Sequence, residues 1–453
     1  MSSVFHSLDD VWRHLEKLDF FHMDMGLERV LRALSVLRPG RLPFVTVQVL
    51  GTNGKGSTSA FLASLAKCHG CRVGLYTSPH FVSPMERIRI CDPGKGSLAP
   101  DKQEHEEIWL ASANAVRRAN PDLTYFEFLT VLALEIFSRH GVDLAVLEAG
   151  LGGRHDATTA AAADVLCYTP IAMDHQDVLG TNLAAIAADK AGAVHSGCAA
   201  VCSAKQYPEA AKALAASARA HGVPLLQAEP ASVEMPLGLA GAHQQTNAGL
   251  ALAAWQVLAP LLGRAADDLE KQRAGLHCAF FPGRFQHVPA SSLHPPLLLD
   301  GAHNPHSMVA LLKGMRAEGI SPAGAVFSCL ADKNWLPGLC LLKHFLGDAP
   351  IFVPTLSNRR AADSKDIVLA CNRLPPATAI ARGGGERVFE EILLQGRSLP
   401  DIGADRPLLV TGSLYLLAEF FALHPAWLTP AAAPSQVSGQ NPVPRTSTGG
   451  CHV

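Results

Sequence analysis

The residues whose types and spacing point most directly to chemistry lie in the segment Gly51-Thr52-Asn53-Gly54-Lys55-Gly56-Ser57-Thr58. This segment follows an apolar, β-branched run at 44–50 and precedes a helical pattern. A strand, a glycine-rich turn and a helix form a phosphate-binding loop, in which backbone N–H groups face phosphate oxygens. Lys55 could reach the β- and γ-phosphates of a nucleotide, and the Ser57 hydroxyl could face Mg²⁺. Because Gly56 separates these two residues, the spacing differs from the common Walker A motif, and a simple turn is the alternative interpretation.

Polar side chains also stand where four other strand-like segments end. The carboxyl ends of parallel strands meet at one edge of a sheet, and such folds bind their ligands there. An acid at that edge, such as Glu148, suits a Mg²⁺-nucleotide site. The alternatives are a helix cap or salt bridge for Glu148, a structural histidine for His175 and a simple Ser-Pro turn at Ser78. The four clusters are Tyr76 to His80, Leu147 to Asp156, Ile171 to His175 and Leu299 to Pro305.

Three further motifs have ordinary structural explanations. Thr124 followed three residues later by Glu127 predicts a capping box at the start of a helix. Lys190 lies near the end of a predicted helix at 182–192, where the helix dipole favours a cation. Asn304 and Pro305 fit the cap and first turn of another helix. Those explanations do not account for Asp300 and His303, which come just before that helix.

The elements that must position these residues alternate between strand and helix patterns along the chain. Regular alternation predicts a mostly parallel, doubly wound α/β sheet. A Pro- and Ser-rich stretch at 288–296 predicts a linker, after which a second alternating series begins. We therefore expect a P-loop ATPase-like domain over 1–289 and a smaller, Rossmann-like C-terminal α/β domain over 296–425. The Pro-, Ser-, Gly- and Thr-rich residues 430–453 predict a disordered tail.

Composition limits the function classes that fit. The chain has 453 residues, which is long enough for two domains or more, and a net charge of −2 without a large basic block. That balance gives no reason to expect binding to nucleic acid or to an anionic membrane. No apolar run reaches membrane-spanning length. The 11 cysteines are scattered, and together with the absence of a recognisable secretory signal they predict reduced thiols in a cytoplasmic protein.

Taken together, these motifs resemble the folylpolyglutamate synthase/dihydrofolate synthase branch of the muramyl-ligase superfamily. The resemblance covers about 15–421. It is based on the phosphate loop and on further motifs in order along the chain: Asp24 to Val30, Thr77 to His80 with Glu86-Arg87, Thr124 to Glu127, Glu148 to Asp156, Asp174-His175 with Leu179-Gly180, Lys190 to Gly192, Phe281 to Arg284, Asp300 to Pro305, Asp332-Lys333 and Thr411 to Ser413.

The resemblance implies a role for each matching position. The residues expected to bind ATP are Gly54, Lys55, Gly56, Ser57, Asn247, Arg284 and Asp300. Those expected to ligate two Mg²⁺ ions are Ser78, Glu148 and His175. Those expected to hold a pterin substrate are Asp24, Met25, Gly26, Thr124, Tyr125, Phe126, Glu127, Arg154, His155 and Asp156. Lys55, Lys190 and His303 are expected to take part in catalysis, with Lys190 carbamylated. The chain departs from the family pattern at His155, Thr159 and Asn334, and the first two bear on substrate preference.

The activity implied by the resemblance is ATP-dependent ligation. L-Glutamate would be joined to dihydropteroate and to folate glutamyl chains through an acyl phosphate, by a monomer whose partners are small molecules. One alternative is an amide ligase for another acid, such as a cell-wall precursor. Ligases of that kind carry a substrate domain before the phosphate loop, and only about fifty residues precede the loop here. The other alternative is a non-catalytic, ATP-dependent switch, because fold alone does not set function.

Overall fold

The structure of the protein is a computed structural model. It describes residues 4–18, 26–94, 102–291, 294–358, 360–374, 379–384 and 406–430. Two predicted substrate residues, Asp24 and Met25, lie outside this part of the chain, as does the predicted tail from 431 onward.

The first unit is built on a seven-stranded sheet that is parallel except for one edge strand. Its strands are β1 Val45–Leu50, β2 Val73–Tyr76, β3 Ile88–Cys91, β4 Leu144–Glu148, β5 Val165–Tyr168, β6 Ala200–Ser203 and β7 Leu225–Gln227. The spatial order is β3-β2-β4-β1-β5-β6-β7, and β3 runs antiparallel to β2. Strands β1 and β4 are therefore neighbours in the sheet, so that the phosphate loop after β1 lies beside the end of β4.

Helices cover both faces of this sheet. They are α1 Leu8–Lys17, α2 Glu28–Leu37, α3 Lys55–Cys68, α4 Lys102–Ala119, α5 Tyr125–Arg139, α6 Gln176–Leu179, α7 Leu183–Ala191, α8 Pro208–His221, α9 His243–Leu261 and α10 Leu269–His277. Buried side chains of α3, α9 and α10 form one apolar cluster with the sheet, and those of α1, α2, α4 and α5 form another. Burial on both faces agrees with the mainly apolar sequences of β2, β4 and β5.

The second unit is a six-stranded sheet with its own core. Its strands are β8 Gln286–Val288, β9 Leu297–Leu299, β10 Gly324–Phe327, β11 Ile351–Thr355, β12 Ala379–Gly384 and β13 Leu408–Thr411. Its helices are α11 Pro305–Ala317, α12 Leu336–Leu346, α13 Ser364–Asn372 and α14 Leu414–Leu423. The order is β12-β11-β10-β13-β9-β8, and only the edge strand β8 is antiparallel to its neighbour. The two parallel-dominated sheets confirm the predicted fold class.

The two sheets divide the chain slightly before the predicted position. Strand β8 lies within the predicted first domain, 1–289, but it pairs with β9 in the second sheet. Phe285 is buried in the core of the second unit. By sheet membership the division therefore falls at about 284. The three residues Gln286–Val288 are too few to show a strand pattern in the sequence, and the structure identifies them as a strand by their pairing with β9.

One pair of cysteines has the Cys-x-x-Cys spacing of thiol redox motifs. Cys68 ends α3 and Cys71 follows it, and both thiols are free. Burial raises the pKa of each thiol, which is opposite to the lowered pKa that activates a redox cysteine. The pair also lies at the C-terminus of its helix, where the dipole disfavours a thiolate. We therefore assign it to packing.

Candidate active site

A single cleft of about 850 Å³ collects residues from both units. It opens at the carboxyl ends of β1, β4 and β5 in the first sheet and of β9 and β13 in the second. Two predicted site residues inside the described chain do not line it, namely Gly26 and Arg154. The predicted residues that do line it are Gly54, Lys55, Gly56, Ser57, Ser78, Thr124, Tyr125, Phe126, Glu127, Glu148, His155, Asp156, His175, Lys190, Asn247, Arg284, Asp300 and His303.

The phosphate loop has a backbone that only glycine fits at two positions. Gly51 has φ +131°, and a Cβ there would lie 2.0 Å from the Thr169 hydroxyl oxygen. Gly54 is the left-handed N-cap of α3, and a Cβ there would lie 2.3 Å from Oδ1 of Asn247. Since α3 begins at Lys55, its N-terminus and unpaired N–H groups open into the cleft. This is the arrangement that binds phosphate.

Lys55 folds back over the loop. Its Nζ donates to the carbonyl oxygens of Gly51 (3.2 Å) and Thr52 (3.1 Å). Enclosure in the cleft lowers the pKa of Lys55, while the carboxylates of Glu148 and Asp174 act in the opposite direction. The ammonium group is thus held at the loop by weak neutral acceptors. A phosphate oxygen could replace those acceptors through a stronger, charge-assisted hydrogen bond.

A chain of amides supports the loop from α9. The Gln244 Nε2 donates to the Ser57 hydroxyl (3.3 Å), and Asn247 Nδ2 donates to Gln244 Oε1 (2.9 Å). Both amide side chains are buried. Asn247 therefore packs directly on the phosphate loop, and sequence analysis had connected it with ATP only through the family resemblance.

Glu148 lies at the end of β4, buried beside the loop. Its Oε2 accepts a hydrogen bond from the backbone N–H of Ser78 (3.0 Å), which joins two of the three predicted metal ligands. Burial raises the pKa of Glu148, and Lys55 partly offsets that effect. In the part of the chain that the structure describes, no three His, Cys, Asp or Glu side chains converge into a metal site. An ion held by Glu148 and His175 would take its remaining ligands from groups such as the Ser78 hydroxyl, water or phosphate oxygens.

Asp174, next to the predicted ligand His175, is the centre of an ionic network between the units. Its Oδ1 lies 2.8 Å from the Nζ of Lys333, which follows β10 in the second unit. Its Oδ2 lies 3.9 Å from Nε2 of both His175 and His303. Burial acts to raise the pKa of Asp174, but the neighbouring His175, Lys333 and His303 outweigh burial and lower that pKa. Burial also lowers the pKa of His175 to about 4, so that its imidazole is neutral and able to ligate a metal.

Lys190 is a buried amine on the cleft wall. Only 5% of the residue is exposed, at the end of α7. Burial lowers the pKa of Lys190 to about 7, and the nearby Lys55 ammonium acts in the same direction. The surface explanation weighed from sequence, a solvated cation at a helix end, is therefore wrong. A buried lysine of this kind has a large neutral fraction near pH 7 and is nucleophilic.

The second unit contributes a turn after β9 that is held by its own backbone. The Asp300 carboxylate accepts from the N–H groups of Phe285 and Ala302, both at 2.9 Å. His303 Nδ1 lies 2.8 Å from the carbonyl oxygen of Gly301, which fixes that nitrogen as the donor and leaves Nε2 directed at Asp174. Burial lowers the pKa of His303. Asp300 thus shapes the turn that presents His303 to the cleft.

The Thr124–Glu127 motif forms the capping box that the sequence predicts. Glu127 Oε2 accepts from the backbone N–H of Thr124 (2.8 Å). The same carboxylate takes a bidentate ion pair from Arg29 on α2, at 2.8 and 3.0 Å. The oxygens of Glu127 are therefore engaged by the protein, although the residue lines the cleft.

A Glu127→Gln variant is expected to lower the free energy of unfolding by about 1–3 kcal/mol, because it removes the charge that pairs with Arg29 at a nearly buried site. Urea denaturation would measure this change. The exposed Glu209→Gln is the matched control and should stay within about 0.5 kcal/mol of the parent. Unchanged stability would contradict the structural role and leave substrate contact as the function of the carboxylate.

Some cleft residues had no role assigned from the sequence. Lys333 and Arg87 were recognised only as parts of motifs, and Tyr415 was not singled out, yet all three line the cleft. Arg87 is buried, donates from Nε to Nδ1 of His80 (2.9 Å) and lies over the Tyr125 ring. The Ser83–Glu86 capping pattern just before Arg87 is the signal in the sequence that could have drawn attention to it, whereas its burial depends on the fold.

Fold and cleft together define a P-loop-type α/β protein whose phosphate loop faces a second α/β unit. No protein-family model matches the chain. It is 32% identical over 434 residues to the dihydrofolate synthase/folylpolyglutamate synthase of Escherichia coli (strain K12), which covers 90% of this chain and 93% of the relative.

Comparison with solved structures leads to the same family. A structure of E. coli FolC in complex with DHPP and ADP superposes with a TM-score of 0.78 at 28% identity, covering 94% of this chain and 99% of that one. The bifunctional folylpolyglutamate synthase/dihydrofolate synthase from Yersinia pestis, complexed with AMPPNP and Mn ion, gives a TM-score of 0.75 at 28% identity, covering 93% of this chain and 99% of that one.

The chain belongs to the dihydrofolate synthase/folylpolyglutamate synthase family and is an enzyme of the ligase class. Neither alternative weighed from the sequence is favoured. None of the described helices is both long and apolar enough to cross a membrane.

Proposed function

We propose that the protein joins L-glutamate to dihydropteroate, forming dihydrofolate, and to the glutamyl chain of folates. The observation that carries the proposal is that one cleft brings together the phosphate loop, the buried Glu148 and Lys190, and the His303 turn of the second unit. Membership of the family supplies the substrate class. The cleft volume, about 850 Å³, is at the upper end of the range for ligand pockets, as expected for a site that holds several reactants.

The reaction has two steps. A carboxylate oxygen of the pterin acid attacks the γ-phosphorus of ATP, the bond to the β-phosphate oxygen breaks, and an acyl phosphate and ADP result. The glutamate amine then attacks the acyl carbon, loses a proton, and inorganic phosphate leaves as the amide forms. Lys55, at the N-terminus of α3, would offset the charge on the transferring oxygens. A closed cleft would keep water from the acyl phosphate.

Ser78, Glu148 and His175 would hold Mg²⁺, with two ions in all. The donor set fits: Glu148 is a buried carboxylate, His175 has its pKa lowered by burial, and Ser78 is bonded to Glu148 through its backbone. Mg²⁺ is commonly held by one or two protein oxygens together with substrate phosphates, which agrees with the lack of a three-residue cluster among the described residues. The bound ion would supply charge neutralisation at the phosphates.

The proposed ATP and pterin positions are supported by the residues that line the cleft. Gly54 to Ser57, Asn247, Arg284 and Asp300 surround the nucleotide end, with His303 facing it from the second unit. Tyr125, Phe126, His155 and Asp156 line the part of the cleft next to Glu148, together with the capping box of Thr124 and Glu127. Aromatic rings there suit a flat heterocycle. Asp24 and Met25, which are outside the described residues, would contribute to the pterin site as the resemblance implies, whereas Gly26 and Arg154 do not line the cleft.

The test is phosphate release from ATP by purified protein with Mg²⁺ and L-glutamate, comparing dihydropteroate, tetrahydrofolate and no acceptor. Release with both acceptors is expected, because the chain resembles a relative that is named for both synthase activities. Release with one acceptor would reduce the proposal to a single synthase activity and direct attention to His155 and Thr159. Nucleotide binding without any acceptor-dependent release would refute the ligase proposal.

We further propose that the two units, which divide at about 284 by sheet membership, close around the substrates in a cytoplasmic monomer. The ion pair between Asp174 and Lys333 supports closure, because it is a contact that can hold the closed units together across the cleft. Small-angle scattering should show compaction when an ATP analogue and the pterin acid are both bound. Scattering at zero angle from the same samples gives the mass and so tests the monomer.

A further inference from the structure

We infer that Asn304 is a positioning residue that fixes the second unit to the phosphate loop of the first. Its side-chain oxygen caps α11 in its own unit, and its side-chain nitrogen binds the other unit. From sequence, Asn304 is fully explained as a helix N-cap, and the cap is indeed present. The cap uses only the oxygen of the amide, however, and the structure shows a second use for the nitrogen.

The two ends of this side chain have different main partners, although Oδ1 also lies 3.4 Å from Nδ2 of Asn53. Oδ1 of Asn304 accepts from the backbone N–H of Ser307 at 2.8 Å. Nδ2 donates to Oδ1 of Asn53 at 3.0 Å and lies 3.5 Å from Oδ2 of Asp174. Asn53 Nδ2 in turn lies 3.0 Å from Nδ1 of His306 in the first turn of α11. Only 7% of Asn304 is exposed, so water competes little for these bonds.

The two partners in the first unit are both functional positions. Asn53 is part of the phosphate loop, one residue before the left-handed Gly54. Asp174 precedes His175 and binds Lys333. A displacement of the phosphate loop or of the Asp174 turn should therefore move the start of α11. It should also move His303, which precedes Asn304 in the chain. By this route Asn304 sets the distance between the ATP end of the cleft and the groups that the second unit presents.

The substitution Asn304→Asp distinguishes the role of the capping oxygen from the role of the nitrogen donor. Aspartate is as good an N-cap as asparagine, so α11 and the fold are retained. The nitrogen donor is lost, and a carboxylate oxygen would face Oδ2 of Asp174, where like charges repel. Asn182→Asp is the matched control. It makes the same change at the N-cap of α7, where the side chain accepts from Ala185 N–H and does not line the cleft.

The experiment compares Asn304→Asp, Asn182→Asp and the parent enzyme by thermal unfolding, scattering and steady-state kinetics. Asn304→Asp is expected to keep the melting temperature of the parent within the experimental error and to have a larger radius of gyration without ligands. Its kcat for acceptor-dependent phosphate release should fall by about tenfold or more, because reacting groups are misplaced. KM for ATP should change much less, since the loop itself is intact. Asn182→Asp should match the parent in all three measurements.

Asn53→Ala tests the same contact from the other side and should enlarge the radius of gyration of the ligand-free protein in the same way. A parent-like radius and kcat for Asn304→Asp would overturn the inference, and so would a fall in melting temperature that accounts for the lost activity. The kinetic part rests on the proposed function, whereas the scattering of the ligand-free proteins does not. If the parent enzyme showed no acceptor-dependent turnover, the proposed function would fail and scattering would still decide the role of Asn304.

Discussion

A Lys55→Met variant is expected to lose acceptor-dependent phosphate release by about a thousandfold, with the fold intact. The side chain forms no ion pair in the described structure, since its Nζ is bonded only to two carbonyl oxygens of its own loop. Because Lys55 contacts no carboxylate among the described residues, its replacement does not deprive any buried carboxylate there of a contacting partner. The loss falls on the transition state, where the ammonium would meet charge on the transferring phosphoryl oxygens.

The measurement is kcat for phosphate release with dihydropteroate and L-glutamate, together with calorimetric binding of ADP. Lys212→Met is the matched control, because Lys212 is exposed on α8, and it should behave as the parent. Lys55→Arg should recover little activity, since a planar guanidinium cannot take the place of a compact ammonium over this tight loop. Parent-like kcat for Lys55→Met would show that the loop works through backbone N–H groups alone.

The local parts of this site could be predicted from the sequence because each is set by neighbours in the chain. The phosphate loop needs only a strand, glycines and a helix, and Gly51 and Gly54 do have the positive φ that such a turn requires. The capping boxes at Thr124 and Asn304 likewise involve residues three apart. Strand ends could be predicted as ligand sites because parallel strands place them at one edge.

The parts that could not be predicted depend on the packing of one unit against the other. Lys333 and Asp174 are 159 residues apart, and no pattern within either segment indicates the ion pair. The same holds for Asn53 and Asn304, where the local cap already explains the sequence. Burial is also non-local: Lys190 has the sequence context of a surface lysine, and only the surrounding α/β packing makes it a buried amine.

A Lys190→Ala variant is expected to lose activity by about a hundredfold or more. The family resemblance implies that this lysine is carbamylated, and the structure provides the condition for that reaction. Burial lowers the pKa of Lys190 to about 7, so the neutral amine is abundant at physiological pH. The neutral nitrogen attacks CO₂, a C–N bond forms, one proton goes to water, and the product carries a negative charge. Loss of such an anion beside a metal-phosphate site removes electrostatic support for the ion and its ligands.

The direction of the pH effect follows from the same pKa. Below about pH 7 the amine of Lys190 is protonated and cannot react, so at a fixed concentration of dissolved CO₂ carbamate should increase as pH rises through 7. Labelling with ¹³CO₂ and NMR of the parent enzyme would detect a carbamate carbon that is absent from Lys190→Ala. Lys212→Ala, at an exposed position, should keep both signal and activity. Full activity after removal of CO₂, with no labelled carbon, would show that Lys190 acts without carbamylation.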